Sequence, residues 1–503
     1  MNRHTAAGAA AVLGTTDVLV VGAGPTGLML GCELRARGVE CTLVDAAPHI
    51  DRRTRAVMVH AASLEALESL GLRDAVERHG VRQERISFHT HHGAVHTVEF
   101  AGLDTPFPYY VNVPQPEVEE VLAAAFVACG GRLVRGVRYN SHREDPSGTY
   151  VEAELAGPEG RLVMRAAYLV GADGASSTVR EGLGIPFPGV TYPMSYLLAE
   201  GQPLHRPEPG ASAMYIGPGG AVSLLPLPGG AVRVAGPVSS QSLGRGAQVN
   251  AAEFAAAVAQ LGFGDTLALG SVDRLAHYQV HERLADHFRV GRTVLAGDAA
   301  HLNSPAGGQA MNTGFADAAA LAWRLEALCR GAGTDLLADY ARERRAAAAD
   351  VARTTGVLGL LQDMRDATGA DAQRRVREAL GGVAEAWSQL YTTYGRPADA
   401  PLPRRETHRL DVGARLPGQV PPGDHHVLLH HPAVPAPLRA LPAEVADENP
   451  VQQDRLTSRQ ASWLPVGAGA VLVRPDRHVA AVLPARQPDP APGAHRIHAE
   501  ASL

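Results

Sequence analysis

Hydrophobic and polar positions follow a few distinct regimes along this chain. Asp17 to Val21 (DVLVV) is a short apolar run of the kind that forms a strand buried on both faces. It runs through GAGPTG, Gly22 to Gly27, into LMLGCELRARG, whose spacing is helical and which stops at Gly38. ECTLVDAAP predicts a second strand ending at Asp45, completing a β-α-β unit. Val57 to Leu70 and Glu117 to Cys129 carry apolar residues three and four apart and predict helices. Arg85 to Phe100 has period two, predicting a hairpin that turns at His92-Gly93. Leu133 to Val137, Tyr150 to Leu155 and Arg161 to Val170 read as strands, the last two joined by a GPEG turn.

Residues 187–285 are rich in strand-like runs broken by Gly and Pro, which predicts a mostly antiparallel sheet inserted between two pieces of the domain that the β-α-β unit begins. Thr293 to Gly297 is again a short buried strand. A helix follows from near Met311-Asn312, clearest over Asp317 to Cys329, and Arg- and Ala-rich helical sequence continues to about Tyr394. A Pro/Arg linker comes next. Beyond it, AGAVLVRPDRHVAAVL predicts a hairpin turning at Pro475-Asp476.

Composition narrows the class. With 503 residues, 45% hydrophobic and 19% charged, the chain has core material for two or three domains. A net charge of −6 argues against a broad nucleic-acid footprint. No apolar run reaches the roughly 20 residues of a membrane span, and the first 14 residues read as a flexible extension. Cys32, Cys41, Cys129 and Cys329 form no CxxC and read as buried, reduced thiols of a cytoplasmic protein. His89, His91, His92 and His96, and the later group His425, His426, His430 and His431, read as solvated hairpin and loop residues, so no metal is expected. Arg342 to Arg345 reads as one charged helix face, and His301 as a local packing or hydrogen-bonding residue.

The candidate chemistry begins at GAGPTG. Gly22 allows the tight turn, Gly24 lets backbone approach a pyrophosphate, and Gly27 lets helix and strand pack closely. The helix that follows offers free N–H groups to phosphates, and Asp45 stands where a ribose hydroxyl would be held. That unit leaves NAD and FAD open. YLVGADGASSTVR, with Asp173, Gly174 and Arg180, and GDAAHLNSPAGGQAMN decide for FAD. In the second segment a strand delivers Asp298 to the crevice, well placed for a ribityl hydroxyl. Gly307 and Gly308 let the loop lie close to a flat ring. The helix start at Met311-Asn312 would stabilise negative charge on a reduced flavin.

In order and spacing, GAGPTGLMLGCELRARG, RAVMVHAASLEALESLGL, VPQPEVEEVL, YLVGADGASSTVR and GDAAHLNSPAGGQAMNTGFADAAALAWRL resemble the class A flavoprotein monooxygenases. This is the para-hydroxybenzoate or phenol hydroxylase-like group, and the likeness is greatest to actinomycete hydroxylases of aromatic polyketides. It spans about residues 15 to 345. It implies an α/β fold: a Rossmann-like FAD-binding domain, an inserted mostly antiparallel β-sheet substrate domain, and a small thioredoxin-like C-terminal domain without CxxC.

The expected boundaries are 15–85, 111–186 and 286–395 for the FAD domain with its helical extension, and 86–110 with 187–285 for the substrate sheet. Residues 396–410 form the linker and 411–503 the last domain. The likeness implies FAD as cofactor, NADPH and O2 as co-substrates, and oxygen transfer to an aromatic small molecule through a flavin C4a-hydroperoxide, by a monomer or homodimer. Baeyer–Villiger, epoxidation or oxidase chemistry is the alternative.

By position, Gly22, Gly24, Pro25, Thr26 and Gly27 would cradle the pyrophosphate and Asp45 the adenosine ribose. Arg55, with Arg53 as substitute, would approach the flavin or the NADPH phosphates. Gln115 would touch the flavin's linker, Asp298 the ribityl chain, and Asp173 would join the FAD and NADPH sites. Pro305 and Gly308 would shape the flavin loop, with Met311 and Asn312 against the pyrimidine end. No catalytic residue is assigned. Ser304, Ala310, Ala316, Ala320, Met58 and Ala62 depart from the family pattern, so the flavin loop is altered near the ring.

Overall fold

The computed structural model describes residues 11–355 apart from 54–55, 218–219, 239–249, 261 and 334, and then 374, 377–378, 380–394, 404–405, 408–417, 426–430, 452–465 and 468–484. The nucleotide-binding half is built on an eight-stranded sheet. Its path runs Arg289–Val290, Thr293–Leu295, Gly160–Gly171, Ala11–Val21, Cys41–Asp45 and Arg132–Arg135. The last five of these pair in parallel. Along the central strand Val18 and Val20 pack with the helices Pro25–Ala36, Gln115–Ala128 and Gln309–Cys329. Leu19 and Val21 point to the other face, onto Leu155, Phe288 and Ala348. An apolar residue at every position is what a doubly covered parallel strand requires.

Three expectations change here. The first strand begins at Ala11 rather than Asp17, because the long partner strand Gly160–Gly171 offers backbone groups as far back as Leu162; residues 11–14 therefore belong to the sheet. In Val57–Leu70, Met58–Val59 forms a short strand against Val111 and Asn112, and the helix covers only Ala61–Ser69. Arg138–Glu144 is an unforeseen strand at the sheet margin, mostly polar, with Tyr139 as its buried anchor.

The second sheet, also of eight strands, runs in the order His301–Leu302, Arg274–Leu284, Gly189–Gly201, Val232–Val238, Gly220–Pro226, Ala211–Gly217, Arg85–Thr90, Gly93–Glu99. All pairs are antiparallel except Ala211–Gly217 with Arg85–Thr90. The mostly antiparallel sheet and its turn at His92-Gly93 thus match expectation. Side chains alternate across it. Leu197, Leu224 and Val234 pack on Phe254 and Val258 of the Ala251–Gln260 helix. From the opposite face, Ile86, Phe88 and Ile216 meet Met58 and Trp387.

A four-stranded sheet closes the described chain: Gln452–Arg455, Val427–His430, Ala468–Val473 and Val479–Pro484, the last two forming the expected hairpin across Pro475-Asp476. Leu429 and Val471 share a core with Met58 and Trp387. His408 and Leu410, at the end of the expected linker, are buried, His408 edge-on to Tyr391 and Trp463. Cys32 and Cys41 are buried, but Cys129 and Cys329 are exposed because they fall at helix C-termini.

Candidate functional site

The glycine-rich turn has three different steric demands. Gly22 has φ 105, and a Cβ there would lie 2.3 Å from the Ala172 carbonyl oxygen. At Gly27 a Cβ would meet the Gly22 carbonyl oxygen at 2.0 Å, which is the close helix–strand contact in physical form. A Cβ at Gly24 would touch nothing within 4 Å, because that position faces open space. Pro25 opens the helix at N1, where its missing N–H costs nothing. Thr26 is clamped between two further glycines: a Cβ on Gly297 or Gly314 would stand 2.4 or 2.2 Å from its Oγ1.

Asp45 is partly committed inside the protein. Its Oδ2 accepts from the Ala23 N–H at 2.6 Å and its Oδ1 from the Ala47 N–H at 2.7 Å. The carboxylate therefore fixes the glycine turn and keeps lone pairs for a ligand in the cleft it lines. Asp45→Ala is expected to weaken FAD affinity by about 1–3 kcal/mol, through both the lost ligand bond and the loosened turn. A fluorimetric FAD titration of the apoprotein checks this, and unchanged affinity would remove Asp45 from the site.

The opposite wall comes from two turns tied together. Asp173 accepts from Ser177 Oγ and, at 3.1 Å, from the Val179 N–H, so it anchors the helix Thr178–Gly182; burial pushes its carboxyl pKa up against these bonds. Arg180 donates to the carbonyls of Ala299 at 3.0 Å and Ala175 at 2.9 Å and covers the Phe187 ring. This pins the Asp173 turn to the single 3-10 turn Gly297–Ala299 that carries Asp298.

Behind Asp298 lies a network that sequence reasoning did not find. Asp317, fully buried, accepts from the Gly297 N–H at 2.9 Å, from His301 Nε2 at 2.7 Å and from Arg344 Nε at 2.7 Å. The Arg342–Arg345 run is thus not one solvated face. Arg342 is exposed, Arg344 is buried on Asp317, and Arg345 donates to the Ala285 carbonyl. The available signal was an acid on an otherwise Ala- and Leu-rich helix stripe, which has to find a cation if it is buried. His301 hydrogen-bonds locally, as expected.

The flavin loop is held from beneath. Gly307 and Gly308 have φ of 70 and 62; a Cβ on the first would enter the Trp387 ring at 2.6 Å, and one on the second would meet Met58 at 2.8 Å. Pro305 precedes them as the N-cap of a short 3-10 turn. The following helix starts at Gln309, slightly before the expected Met311. Asn312 Oδ1 accepts from the His60 N–H at 2.8 Å and Ser63 Oγ at 2.7 Å, and its Nδ2 donates to the carbonyls of Met58 at 2.9 Å and Gly308 at 2.7 Å. Its side chain is therefore spent inside the protein, and what the helix start presents to the cleft is Ala310 and Met311.

His60 Nε2 lies 2.6 Å from the Gly307 carbonyl oxygen and must carry the proton there, since a carbonyl only accepts. Burial lowers its pKa to about 4. The unfolded chain takes up this proton near the ordinary value of 6.5 and the folded chain does not. Stability is therefore lost as pH falls from about 6.5 to 4, by on the order of 3 kcal/mol from this group. Urea denaturation at stepped pH is expected to show that fall, and a shallower one in His60→Gln.

These elements enclose a cleft of about 500 Å³. Gly22, Gly24, Pro25, Thr26, Asp45, Gln115, Asp173, Asp298 and Met311 line it. Gly27, Pro305, Gly308 and Asn312 do not, and act on its shape instead. Gln115 bonds Ala56 N–H and Glu119. Arg55 lies outside the described residues; Arg53 lines the cleft but is paired with Asp51 at 2.7 Å. Among the described residues no cluster could hold a metal ion and no helix is long and apolar enough to cross a membrane. His89 is half-buried against the Tyr215 ring, whereas His91, stacked on Phe263, and His92 are exposed as expected.

A long cleft with a helix N-terminus, an open glycine and the carboxylates of Asp45, Asp173 and Asp298 in its wall has the form of a dinucleotide-binding site. The FAD binding domain family matches residues 15–355, and the chain belongs to it, as a class A flavoprotein monooxygenase with FAD as its cofactor. The chain is 34% identical over 357 residues to the 12-dehydrotetracycline 5-monooxygenase/anhydrotetracycline 6-monooxygenase of Streptomyces rimosus, covering 69% of this chain and 70% of that one. It is 30% identical over 488 residues, 92% and 95% of the two chains, to the dialkyldecalin synthase of Streptomyces rugosporus. Among solved structures, the anhydrotetracycline hydroxylase from Streptomyces rimosus superposes with a TM-score of 0.72 at 29% identity over 93% of this chain and 96% of that one.

Proposed function

We propose that the protein hydroxylates a phenolic, polycyclic natural product, consuming NADPH and O2. The observation that carries this reading is the placement of the flavin loop. Gly308 rests on Met58, and Met58 packs with Ile86, Phe88 and Ile216 on the face of the antiparallel sheet away from its helix. In this reading the ring system binds on the same sheet face, beside this packed contact, and is presented there to the flavin, which supplies the oxygen-activating chemistry when bound. The protein's own share is to bind, orient and exclude water. In this reading Asp45 and Asp298 hold the two sugar-like ends of FAD, and the main chain around Gly24 holds the pyrophosphate. The relatives named for tetracycline intermediates support an aromatic polyketide as substrate.

The reading extends to a cytoplasmic protein whose last sheet is a redox-inert thioredoxin-like domain. The parallel pair Val427–His430 with Gln452–Arg455, continued by an antiparallel hairpin, supports that assignment. Anaerobic NADPH titration of the purified protein tests the function. Bleaching of the flavin spectrum, restored by air with a product heavier by one oxygen, is the expected result; a flavin that NADPH never reduces, with or without phenolic ligands, sinks it. Likeness to a synthase along nearly the whole chain favours a second reading, in which the same chamber turns over without adding oxygen. Product mass separates the two.

A further inference from the structure

The face of the antiparallel sheet that looks toward the flavin loop can be followed strand by strand. Leu197 and Ala199 point to the Ala251–Gln260 helix, so their neighbours Tyr196, Leu198 and Glu200 point the other way. Tyr278 stands directly opposite Tyr196 in the antiparallel register and shares its side. The end of the Arg274–Leu284 strand pairs with His301–Leu302, where the flavin loop begins. Two tyrosines therefore lie side by side on the inner face, with ring centroids 6.0 Å apart and planes at 29°.

Their state is unusual for largely buried phenols. A buried tyrosine ordinarily gives its O–H to a protein partner. Among the described residues neither hydroxyl has one, and neither is sealed off from water. On the same strand Glu200 accepts from Arg233 at 2.6 Å and faces Arg274, and Tyr192 donates to Glu282. The rings are fixed by stacking while the two O–H groups remain open. Burial pushes the Tyr196 phenol up to about 12 and Tyr278 higher still, so both stay protonated at neutral pH and present donors.

We infer that Tyr196 and Tyr278 are a specificity-determining pair that receives the oxygenated edge of the ring substrate, donating to neighbouring carbonyl or phenol oxygens. This rests on the function proposed above. Two fixed donors on adjacent strands suit a ligand whose acceptor oxygens stand next to each other on one rim, and they give nothing to a bare hydrocarbon of the same shape. Hydroxyls left unpaired by the wrong ligand cost binding, which is how a site built to hydrogen-bond rejects an analogue lacking the group.

The test uses the FAD-loaded protein and two probes of similar size, a dihydroxyanthraquinone and anthracene, titrated against intrinsic fluorescence. Phenylalanine keeps the stacked ring and removes only the hydroxyl. Tyr196→Phe and Tyr278→Phe are each expected to raise the Kd of the quinone about tenfold, a loss of roughly 1.4 kcal/mol, and to leave that of anthracene within about twofold. A quinone that binds wild type no better than anthracene, or equal losses for both probes, or none, overturns the assignment. Failure of the proposed function is read separately, on wild type, as a flavin that NADPH does not bleach.

Discussion

Asp317→Ala is expected to lower stability by about 3–5 kcal/mol and to yield protein that retains little FAD. The carboxylate is fully buried, with Arg344 on one oxygen and His301 and the Gly297 N–H on the other. Burial alone would raise its pKa; the adjoining His301 and Arg344 outweigh burial and bring it below the ordinary carboxylate range. Removing it strands a guanidinium with no counter-charge in the interior, the situation that makes half of a buried ion pair so costly. It also releases the turn on which Asp298 stands, so cofactor loss is expected beyond what instability alone explains.

Asp317→Asn separates the two effects, since an amide oxygen can still accept from Gly297 while the charge is gone. That variant should be destabilised but retain more FAD per folded molecule than alanine does. Urea midpoints and the ratio of visible flavin to protein absorbance read both. A folded, fully yellow alanine variant would show that the turn does not need its anchor. The sign with pH follows from the lowered pKa: the stabilisation from Asp317 is present at neutral pH and is lost as the carboxyl protonates in acid.

What the sequence revealed was what local chemistry dictates. DVLVV could be read as a doubly covered strand because the four residues after Asp17 are all apolar, and GAGPTG could be read because strand, turn and helix each leave a mark within a few residues. The same holds for the hairpins at His92-Gly93 and Pro475-Asp476, whose turns lie inside alternating runs. The features missed depend on partners far along the chain. Met58–Val59 is a strand only because Val111–Asn112 lies beside it, and its helical spacing gave no hint of that. Arg344 looked like its neighbours Arg342 and Arg345 until Asp317, 27 residues earlier, met it in the core. Asn312 fell in the right place for a flavin contact, yet its side chain is consumed by His60, Ser63, Met58 and Gly308, three of them about 250 residues away. For the same reason the tyrosine pair could not be singled out: which face of a strand looks inward is set by the helix that covers the other face.

The glycines of the first turn allow a prediction in which two substitutions three residues apart fail for different reasons. Gly24→Val is expected to fold normally and to lose FAD almost entirely. Its backbone is extended, with φ −80 and ψ −174, a conformation any residue adopts, and a Cβ there meets no protein atom within 4 Å. The space it would enter is the mouth of the helix N-terminus, where the main chain has to approach the pyrophosphate. Gly27→Val is expected to fail earlier. Its Cβ would sit 2.0 Å from the Gly22 carbonyl oxygen, backbone against backbone at a buried position in the first turn of the Pro25–Ala36 helix, with no flexible side chain to give way. That variant should be recovered poorly or with a much lowered melting temperature, and added FAD should not rescue it. Circular dichroism, thermal melting and flavin content of the two proteins distinguish the outcomes. If Gly24→Val stays yellow, the pyrophosphate does not pass this turn and the cleft holds its cofactor in another register. If Gly27→Val melts like wild type, the helix can slide away from the strand, and its N-terminus is not the fixed point on which the phosphate contacts depend.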